Sequence, residues 1–287
     1  MGHVYLCVDI GGTKTAFACY GQEGKELFYG IFPTEKEKGA AALAGRVKNA
    51  LADFLRDKAV AAGALACPGP LDLTKGECNC EATLSWKNAP VRAVFEQAFG
   101  VQFALLNDCD AAVLGEYAAC AAKPALLCYM TVSTGVGGGV VSGGKLLRGR
   151  GNAAEFGHLR VSGEGRKCGC GGTDCLELYA SGTAIERFYA ERTGQNRKAD
   201  EVAGLAKNGD QTAKRAFEIC AEKLIEAFGH IRKILDPSVV VLGGGVTQSA
   251  ELFLPKLTAA YPGVNIRVSA LNGKQGLLGG YEFCVHL

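Results

Sequence analysis

The sequence predicts an α/β protein built from two lobes with a cleft between them. Its 287 residues are enough for two lobes of ordinary domain size, each with its own core. Apolar strand patterns alternate with helical patterns along the chain. A plan of strand, glycine-rich turn and strand occurs twice, first around D-I-G-G-T-K-T and again in T-V-S-T-G-V-G-G-G-V-V. Two such copies indicate a duplicated architecture.

The composition favours small-molecule partners. The 31 basic and 29 acidic residues leave a net charge of +2 and form no basic block, so neither nucleic acid nor an anionic membrane is an expected partner. The 13 cysteines are odd in number and several lie in apolar runs, which predicts reduced thiols in the cytoplasm. The best candidate for a membrane span, Ala125 to Val141, is broken by glycines and hydroxyl residues, so we expect no transmembrane helix.

The first hairpin is a candidate phosphate site. Val4 to Ile10 and Ala16 to Tyr20 are its predicted strands. Glycines in the turn can bring backbone amides against a phosphate, a threonine hydroxyl adds a donor, and an aspartate at the strand end can hold Mg²⁺ through water. These residues are Gly11, Gly12, Thr13 and Asp9. The alternative is a plain tight turn that contains an acidic residue.

The second copy of the hairpin runs from Thr131 to Val141, and both copies continue into a lysine-containing turn and another strand. Paired hairpins that face each other across a cleft would grip a triphosphate from both sides. Gly139 to Leu146 approaches the P-loop pattern but ends in Leu, and no G-x-G-x-x-G follows a strand. Walker-type ATPases and dinucleotide enzymes are therefore disfavoured.

Helices and strands alternate between the two hairpins. The predicted elements are a helix from Lys36 to Lys58, a strand from Val60 to Cys67 that ends at P-G-P, a helix from Val91 to Phe99 and a strand from Val101 to Leu106. A loop from Glu77 to Pro90 carries the single tryptophan, Trp86. Its ring either leans on a sugar or caps a lobe.

Asp108 follows the strand that ends at Leu106 and begins the next helix. Open α/β sheets place their chemistry at this position, where a strand meets a helix N-terminus. The alternative role for Asp108 is a helix N-cap. A cap alone does not require Asn107 beside it, and Asp110 could serve as the cap equally well.

A histidine and three cysteines are clustered in the segment from Glu155 to Glu177. Three thiolates and an imidazole are ligands that a tetrahedral Zn²⁺ prefers, and C-x-C-x4-C lets a glycine-rich loop wrap one ion. The predicted ligands are His158, Cys168, Cys170 and Cys175. Four protein ligands leave no open position, so this zinc would fix a loop and would not act as a Lewis acid.

A fixed loop would deliver Glu155 and Glu177 to one place, which we identify as a candidate polyol site. The alternative interpretation is a flexible loop with ordinary reduced cysteines. Elsewhere the cysteines fit that simpler description, because Cys78-x-Cys80 has no neighbouring histidine or third cysteine in the sequence and most others lie in apolar runs.

Helices dominate the second half of the chain. They are predicted from Ala180 to Arg192, Ala199 to Asn208, Gln211 to Leu235 and Gly276 to Val285, with strands from Ser238 to Leu242 and Asn265 to Ala270. The G-G-G-V that follows Leu242 either admits a flat base such as adenine or forms a simple strand–helix turn. The expected lobes are residues 1–106 with 275–287, and residues 107–274.

Seven motifs occur in order between Asp9 and Val246: D-I-G-G-T-K-T, P-G-P, N-D-x-D-A-A-x-x-G-E, S-T-G-V-G-G-G-V-V, E-F-G-H, C-G-C-G-x-x-x-C-x-E and V-V-L-G-G-G-V. With them the chain closely resembles the ROK family of bacterial sugar kinases and repressors, over essentially its whole length. The resemblance implies an actin-like ATPase fold with ribonuclease H-like lobes. It also implies ATP-dependent phosphorylation of a hexose or N-acylhexosamine, usually at the 6-hydroxyl, and a homodimer.

The resemblance also implies a role for each matched residue. Asp108 would be the general base. Sugar hydroxyls would contact Asn107, Glu155, His158 and Glu177. The phosphates of Mg-ATP would lie against Asp9, Gly11, Gly12, Thr13, Thr134 and Gly135. The adenosine would lie by Gly243 and Gly244, and zinc would be bound by His158, Cys168, Cys170 and Cys175.

Three residues depart from the family pattern. Asp174 and Ala154 stand where the family usually has glycine, and Thr83 stands where many members have Asn in the sugar loop. The choice between a glucokinase and an N-acetylmannosamine kinase therefore stays open. So do two other classes, a sugar-sensing transcriptional regulator and a non-catalytic sugar-binding protein. Related regulators carry a DNA-binding segment ahead of the first hairpin, and with Asp9 so early in the sequence we expect none.

Overall fold

The computed structural model describes residues 2–151 and 153–285; Met1, Asn152, His286 and Leu287 lie outside the described residues. The chain divides into two compact units, Met1–Ala121 with Lys274–Leu287 and Ala122–Gly273. The sequence pattern puts the first boundary after residue 106. The observed boundary comes later because the helix that follows Asn107 packs within the first unit.

The strands and helices alternate as the sequence predicts. The strands are β1 (Gly2–Ile10), β2 (Lys14–Tyr20), β3 (Glu26–Pro33), β4 (Lys58–Cys67), β5 (Leu71–Asp72), β6 (Glu77–Cys78), β7 (Phe103–Asn107), β8 (Leu126–Val132), β9 (Val136–Ser142), β10 (Lys145–Leu146), β11 (Val239–Gly243) and β12 (Asn265–Val268). The helices are α1 (Gly39–Ala50), α2 (Glu81–Leu84), α3 (Val91–Phe99), α4 (Asp108–Ala119), α5 (Glu177–Ala180), α6 (Gly182–Thr193), α7 (Ala199–Lys207), α8 (Gln211–Leu235), α9 (Leu254–Ala260) and α10 (Gln275–Cys284). Short 3-10 helices cover Lys36–Lys38, Phe156–His158 and Gly245–Leu252.

Each unit is built on a five-stranded sheet, and the two sheets have the same topology. The order is β3-β2-β1-β4-β7 in the first and β10-β9-β8-β11-β12 in the second. In each sheet a three-stranded antiparallel meander is joined to two further strands that run parallel to its first strand. The duplication predicted from the two hairpins is therefore confirmed at the level of the whole sheet.

Each unit also has its own apolar core. In the first, Leu6 and Val8 of β1 are buried with Leu43 and Val47 of α1. In the second, the apolar face of the long helix α8 is buried in one cluster with residues of strands β8, β9 and β11. Helical periodicity in α8 and alternation in β1 are what allow one face of each element to be apolar.

The helix predicted from Lys36 to Lys58 is shorter than expected. A 3-10 turn comes first, Gly39 at the start of α1 adopts a φ of 80°, and α1 ends at Ala50. A left-handed φ suits glycine because it has no Cβ to clash with the backbone. Beyond Ala50 the chain continues as hydrogen-bonded turns, in which the amide of Leu51 is shared between the carbonyls of Val47 and Lys48 at 3.2 Å each.

Helix α10 packs on α4 through glycines. A Cβ added at Gly279 would collide with the carbonyl oxygen of Ala111, and one at Gly115 would collide with the carbonyl oxygen of Gln275. Such a close approach is possible only where side chains are absent. The contact therefore fixes α10 against the helix that begins at Asp108.

Gly279→Ala should lower the free energy of unfolding by about 1–3 kcal/mol, because the added methyl group has no space between α10 and α4. Urea denaturation followed by circular dichroism measures the change. The matched control is Gly204→Ala in α7, where an added Cβ meets nothing within 4 Å. There alanine should be neutral or stabilising by up to about 1 kcal/mol, since it favours helix more than glycine does. Equal effects at the two positions would contradict the packing argument.

Candidate functional site

The Asp108 carboxylate opposes the ionisation of Asp9 in the first unit. Asp9 lies near the carboxyl end of β1, and Asp108 is the first residue of α4, directly after β7. Desolvation raises the pKa of Asp9 to about 7, the Asp108 carboxylate adds to the rise, and the Lys14 ammonium opposes it. Desolvation also raises the pKa of Asp108, while hydrogen bonds from Cys109 lower it. A desolvated carboxylate that feels a second negative charge favours a bound cation.

Asn107, and not Asp108, caps helix α4. Its side-chain oxygen accepts hydrogen bonds from the amides of Cys109 at 2.8 Å and Asp110 at 3.4 Å. The Asp108 carboxylate accepts a further bond of 2.8 Å from the Cys109 amide, which fixes its orientation. Because Asn107 supplies the cap, Asp108 is left for another role.

The turn of the first hairpin offers two backbone amides. The Gly11 amide donates to the carbonyl of Lys14 at 3.0 Å and closes the turn, so it is not available to a phosphate. Among the hydrogen bonds recorded for residues 2–151 and 153–285, none uses the amides of Gly12 or Thr13. Thr13 is also exposed. The Gly12 and Thr13 amides and the Thr13 hydroxyl are therefore open to a ligand, whereas the Gly11 amide, which the sequence also suggested as a donor, is occupied.

In the second unit, the turn between β8 and β9 is held from both sides. The Ser133 amide donates to the carbonyl of Gly135 at 2.9 Å, and the Ser133 carbonyl accepts from the amide of Gly182 at 2.6 Å. Thr134 is exposed at the tip. A Cβ at Gly135 would lie 3.1 Å from a carboxylate oxygen of Glu177, so this glycine sits directly beside that acid.

A cavity of about 700 Å³ opens beside this turn within the second unit. Its walls include Thr134, Thr183, Lys198, Gly245, Gln248 and Ser249. A nucleoside would fit this volume, since ligand pockets commonly enclose 300–1,000 Å³. Thr134 and the G-G-G-V that contains Gly245 are predicted from the sequence, whereas Thr183, Lys198, Gln248 and Ser249 are not; the T-Q-S that follows G-G-G-V was the available signal.

The glycine triplet has two different functions. A Cβ at Gly243 would collide with the ring of Tyr129, and one at Gly244, where φ is 90°, would collide with the carbonyl of Val132. These two glycines therefore serve the packing of β11 on β8. Gly245 has nothing within 4 Å of its Cβ position and lines the cavity, so it is the glycine that a base could approach.

The four predicted zinc ligands converge. Their ligand atoms all lie within 4.8 Å of one another. The sulphurs of Cys170 and Cys175 are 3.6 Å apart, and Sγ of Cys168 is 3.7 Å from Nδ1 of His158. A tetrahedral zinc ion with Zn–S bonds of about 2.3 Å and Zn–N bonds of about 2.0 Å separates its ligand atoms by roughly 3.5–3.8 Å. The donor set and its spacing fit zinc.

Short backbone bonds shape the loop around these ligands. The Cys168 amide donates to the carbonyl of Gly172 at 2.9 Å, and the Gly171 amide donates back to the carbonyl of Cys168 at 3.0 Å. Because Nδ1 of His158 faces the cysteines, Nε2 is left for a ligand.

The two acids that bracket the loop are placed differently. Glu177 begins α5, and its Oε1 is 3.3 Å from Sγ of Cys168 and 3.7 Å from Nδ1 of His158. Glu155 is exposed and precedes the 3-10 turn, where its carbonyl accepts the His158 amide at 3.0 Å. Glu177 is thus attached to the cluster through its side chain and Glu155 through its backbone.

Two of the three departures from the family pattern have left-handed backbones. Ala154 has a φ of 62° and Asp174 a φ of 55°. Such a φ explains why glycine is common at these positions. Asp174 is compensated, since its carboxylate accepts from the amides of Gly165 and Arg166 at 2.9 Å and from the hydroxyl of Tyr179 at 2.6 Å. The loop gains three bonds that glycine could not make.

Trp86 caps the core of the first unit and does not offer its face to a sugar. It is only 5% exposed, and its Nε1 donates to the carbonyl of Lys36 at 2.9 Å.

Thr83, the third departure, lies against Gly12: its methyl carbon is 2.7 Å from the position of a Cβ on that glycine.

Over the described ranges, no helix has the length and apolarity that a membrane crossing requires.

Comparisons with known proteins agree on one relationship. The model of the ROK family matches residues 5–271. An N-acetylmannosamine kinase of Escherichia coli (strain 55989 / EAEC) is 32% identical over 286 residues, which cover 96% of each chain. The crystal structure of a ROK hexokinase from Thermus thermophilus superposes with a TM-score of 0.83 at 33% identity, over 99% of this chain and 100% of that one. A ROK family glucokinase from Streptomyces griseus, solved with glucose and AMPPNP, gives 0.81 at 29% identity over 98% of both.

Asn107→Ala should lower the free energy of unfolding by about 1 kcal/mol, because the amides of Cys109 and Asp110 lose their cap. Asn107→Ser is the control, since serine can cap a helix and should retain most of the stability. Urea denaturation of both variants measures the difference. If alanine and serine behaved alike, the capping role of Asn107 would have to be abandoned.

Proposed function

The chain belongs to the ROK family, and on that premise we propose that it is an ATP-dependent sugar kinase. Its fold is that of the actin-like ATPases, as in the ROK kinases that superpose on it. The observation that carries the proposal is the arrangement at the first hairpin. Asp9, whose ionisation the Asp108 carboxylate opposes, shares the first unit with the amides of Gly12 and Thr13, which no hydrogen bond among the described residues uses. Phosphoryl transfer needs one acid to hold a cation, a second acid to accept a proton, and hydrogen-bond donors for the phosphate.

The proposed substrate is a hexose or an N-acylhexosamine, phosphorylated at its 6-hydroxyl. Support comes from relatives named glucokinase and N-acetylmannosamine kinase and from the neighbour that holds glucose and AMPPNP. We propose either of these two activities for the chain. Many members of the family have Asn at the position of Thr83. Substitution of Thr83 would therefore test whether this position sets the preference between the two sugars.

Asp108 is the proposed general base. The transition state of phosphoryl transfer is loose, so the enzyme mainly aligns the groups and neutralises charge. The bond from the Cys109 amide holds the Asp108 carboxylate in one orientation, and from there it would accept the proton of the sugar hydroxyl as that oxygen attacks. Its raised pKa makes it a better proton acceptor than an exposed aspartate.

The remaining residues would hold the nucleotide. Mg²⁺ bound with ATP would supply positive charge at the phosphates, with Asp9 as its protein partner through water. The amides and hydroxyls of the two hairpin turns, at Gly12, Thr13, Thr134 and Gly135, would donate to the phosphate oxygens. Gly11 contributes by closing its turn. The adenosine would occupy the cavity beside Gly245, with Gly243 and Gly244 holding the strand behind it.

The zinc site is proposed to organise sugar binding. A bound zinc ion would supply a rigid cross-link among His158, Cys168, Cys170 and Cys175. Nδ1 of His158 faces this cluster, so Nε2 can meet a sugar hydroxyl, and a fixed ring nitrogen fixes the tautomer that does so. Asn107, Glu155 and Glu177 are the other proposed contacts to sugar hydroxyls.

We also propose a cytoplasmic homodimer, from the resemblance to the family and the reduced thiols expected of 13 cysteines. The decisive experiment for function is an ATP-coupled assay across glucose, N-acetylmannosamine, N-acetylglucosamine and fructose, with the product phosphate position determined by NMR. Sugar binding without phosphoryl transfer to any of them would overturn the proposed kinase activity.

Asp108→Asn should lower kcat by roughly 10²- to 10⁴-fold, because an amide cannot accept the proton of the attacking hydroxyl. The coupled assay measures the rate, and circular dichroism checks that the fold is retained. Asp53→Asn, an exposed aspartate paired with Arg56, is the control and should keep full activity. An Asp108→Asn variant with most of its kcat would rule out the role of general base.

Cys170→Ser should lose zinc and weaken sugar binding, since one of four ligands is removed and the loop that carries His158 loosens. Elemental analysis gives the metal content and calorimetry gives the sugar affinity. The control is Cys120→Ser, a thiol outside the cluster that donates to the carbonyl of Glu116. Equal zinc content in the two variants would end the case for a zinc site.

A further inference from the structure

A three-residue segment, Thr34–Lys36, connects the first phosphate hairpin to the sugar loop from Glu77 to Pro90. We call this segment the strap. It follows β3 and leads into the 3-10 turn before α1. All three parts lie in the first unit.

The strap is attached to the hairpin through Thr34. The Thr34 amide donates to the carbonyl of Thr13 at 2.9 Å, and the Thr34 hydroxyl donates to the carbonyl of Gly11 at 2.6 Å. The same hydroxyl is 3.0 Å from that of Thr15, and Thr34 is 1% exposed. Buried hydrogen bonds are costly to break without replacement. A displacement of the turn must therefore displace the strap.

The strap is attached to the sugar loop through Lys36. Its Nζ donates to the carbonyl of Thr83 at 2.8 Å, and its own carbonyl accepts the indole N–H of Trp86 at 2.9 Å. Trp86 is buried in the core of the unit. Lys36 thus holds the loop at two points, three residues apart.

The sugar loop also rests directly on the hairpin turn. A Cβ on Gly12 would lie 2.7 Å from the methyl carbon of Thr83 and 3.0 Å from its carbonyl oxygen. There is no space for a side chain between them. The amide of Gly12 is also one of the two that the turn offers to a phosphate. Gly12 therefore contacts the sugar loop and contributes to the proposed phosphate site at the same time.

The backbone of the strap is strained and firmly held. Glu35 has a φ of 52° and a ψ of 52°, which is uncommon for a residue other than glycine. Arg46 holds it, with bonds of 3.0 Å to the carbonyl of Thr34, 2.8 Å to that of Pro33 and 2.8 Å to the Glu35 carboxylate. Strain of this kind persists only where the surroundings determine the conformation. A strap with one conformation transmits displacement and does not absorb it.

We propose that Thr34, Lys36 and Thr83 are positioning residues that couple nucleotide binding to sugar binding within the first unit. A nucleotide phosphate on the amides of Gly12 and Thr13 selects one position of the turn. Through the strap and the Thr83 contact, that position sets the sugar loop. Each ligand then raises the affinity for the other by the same factor, as linkage requires. The inference rests on the proposed sugar kinase function.

Calorimetry on the zinc-loaded full chain tests it. The affinity for the sugar that the kinase assay identifies, glucose or N-acetylmannosamine, is measured with and without Mg-AMPPNP, and the ratio of the two is the coupling factor. Lys36→Met removes the bond to Thr83 and keeps the backbone carbonyl that Trp86 uses. It should reduce the coupling factor by about fivefold, the change that corresponds to the net contribution of one hydrogen bond.

Two further variants make the test specific. Thr83→Ser removes only the methyl group against Gly12 and should reduce the coupling factor by about fourfold. Lys48→Met is the matched control, because Lys48 also donates to a backbone carbonyl, that of Ala98 at 2.6 Å, but joins α1 to the end of α3. It should leave the coupling factor unchanged.

The outcomes separate the inference from the function. A lower sugar affinity in Lys36→Met and Thr83→Ser with the wild-type coupling factor would mean a purely structural role and would overturn the proposal. A coupling factor near one in the wild type would overturn it as well. Should Lys36→Met fail to fold, the conservative Thr83→Ser variant decides alone. If the wild-type protein bound only one of the two ligands, or neither, the proposed function itself would be refuted.

Discussion

Electrostatic repulsion between Asp9 and Asp108 is the constraint on which the proposed chemistry depends. The repulsion exists because close packing brings remote segments together: α10 lies on α4 without side chains between them, and a Cβ at Gly276 would be only 2.7 Å from the Asp9 carboxylate. A site that disfavours negative charge is one that favours a cation, so the glycine packing of α10 supports the proposed cation site of the first unit.

In the second unit, hydrogen bonds rather than close helix packing position the groups of the proposed site. The candidate zinc loop from Glu155 to Glu177 contains too much glycine and charge to hold a shape by packing, and backbone bonds around Cys168 with the carboxylate of Asp174 shape it instead. The four ligand atoms converge as a consequence. Glu177 is attached to this cluster and adjoins Gly135, so within this unit the proposed sugar acid and the phosphate turn are neighbours.

Although the two sheets share one topology, their glycine-rich turns have diverged. The first turn is closed by the Gly11 amide and covered by Thr83, whereas the second is tied to the start of α6 by the Gly182 amide. The first turn therefore contacts the loop from Glu77 to Pro90, and the second borders a nucleoside-sized cavity. The two sheets thus share one topology, while their glycine-rich turns contact different segments.

The sequence by itself determined what depends on residues close together along the chain. Short spacings encode the strand and helix periodicity, the repeated hairpin, the candidate zinc ligands and the start of α4 at Asp108, and the family motifs suggest roles for them. Only the tertiary structure decided which glycines are open, since Gly243 and Gly244 pack on β8 while Gly245 lines the cavity. It also decided that Trp86 is buried and that the strap joins two loops. These features depend on contacts between segments remote in sequence, and the distances across such contacts are set by packing rather than by any local pattern.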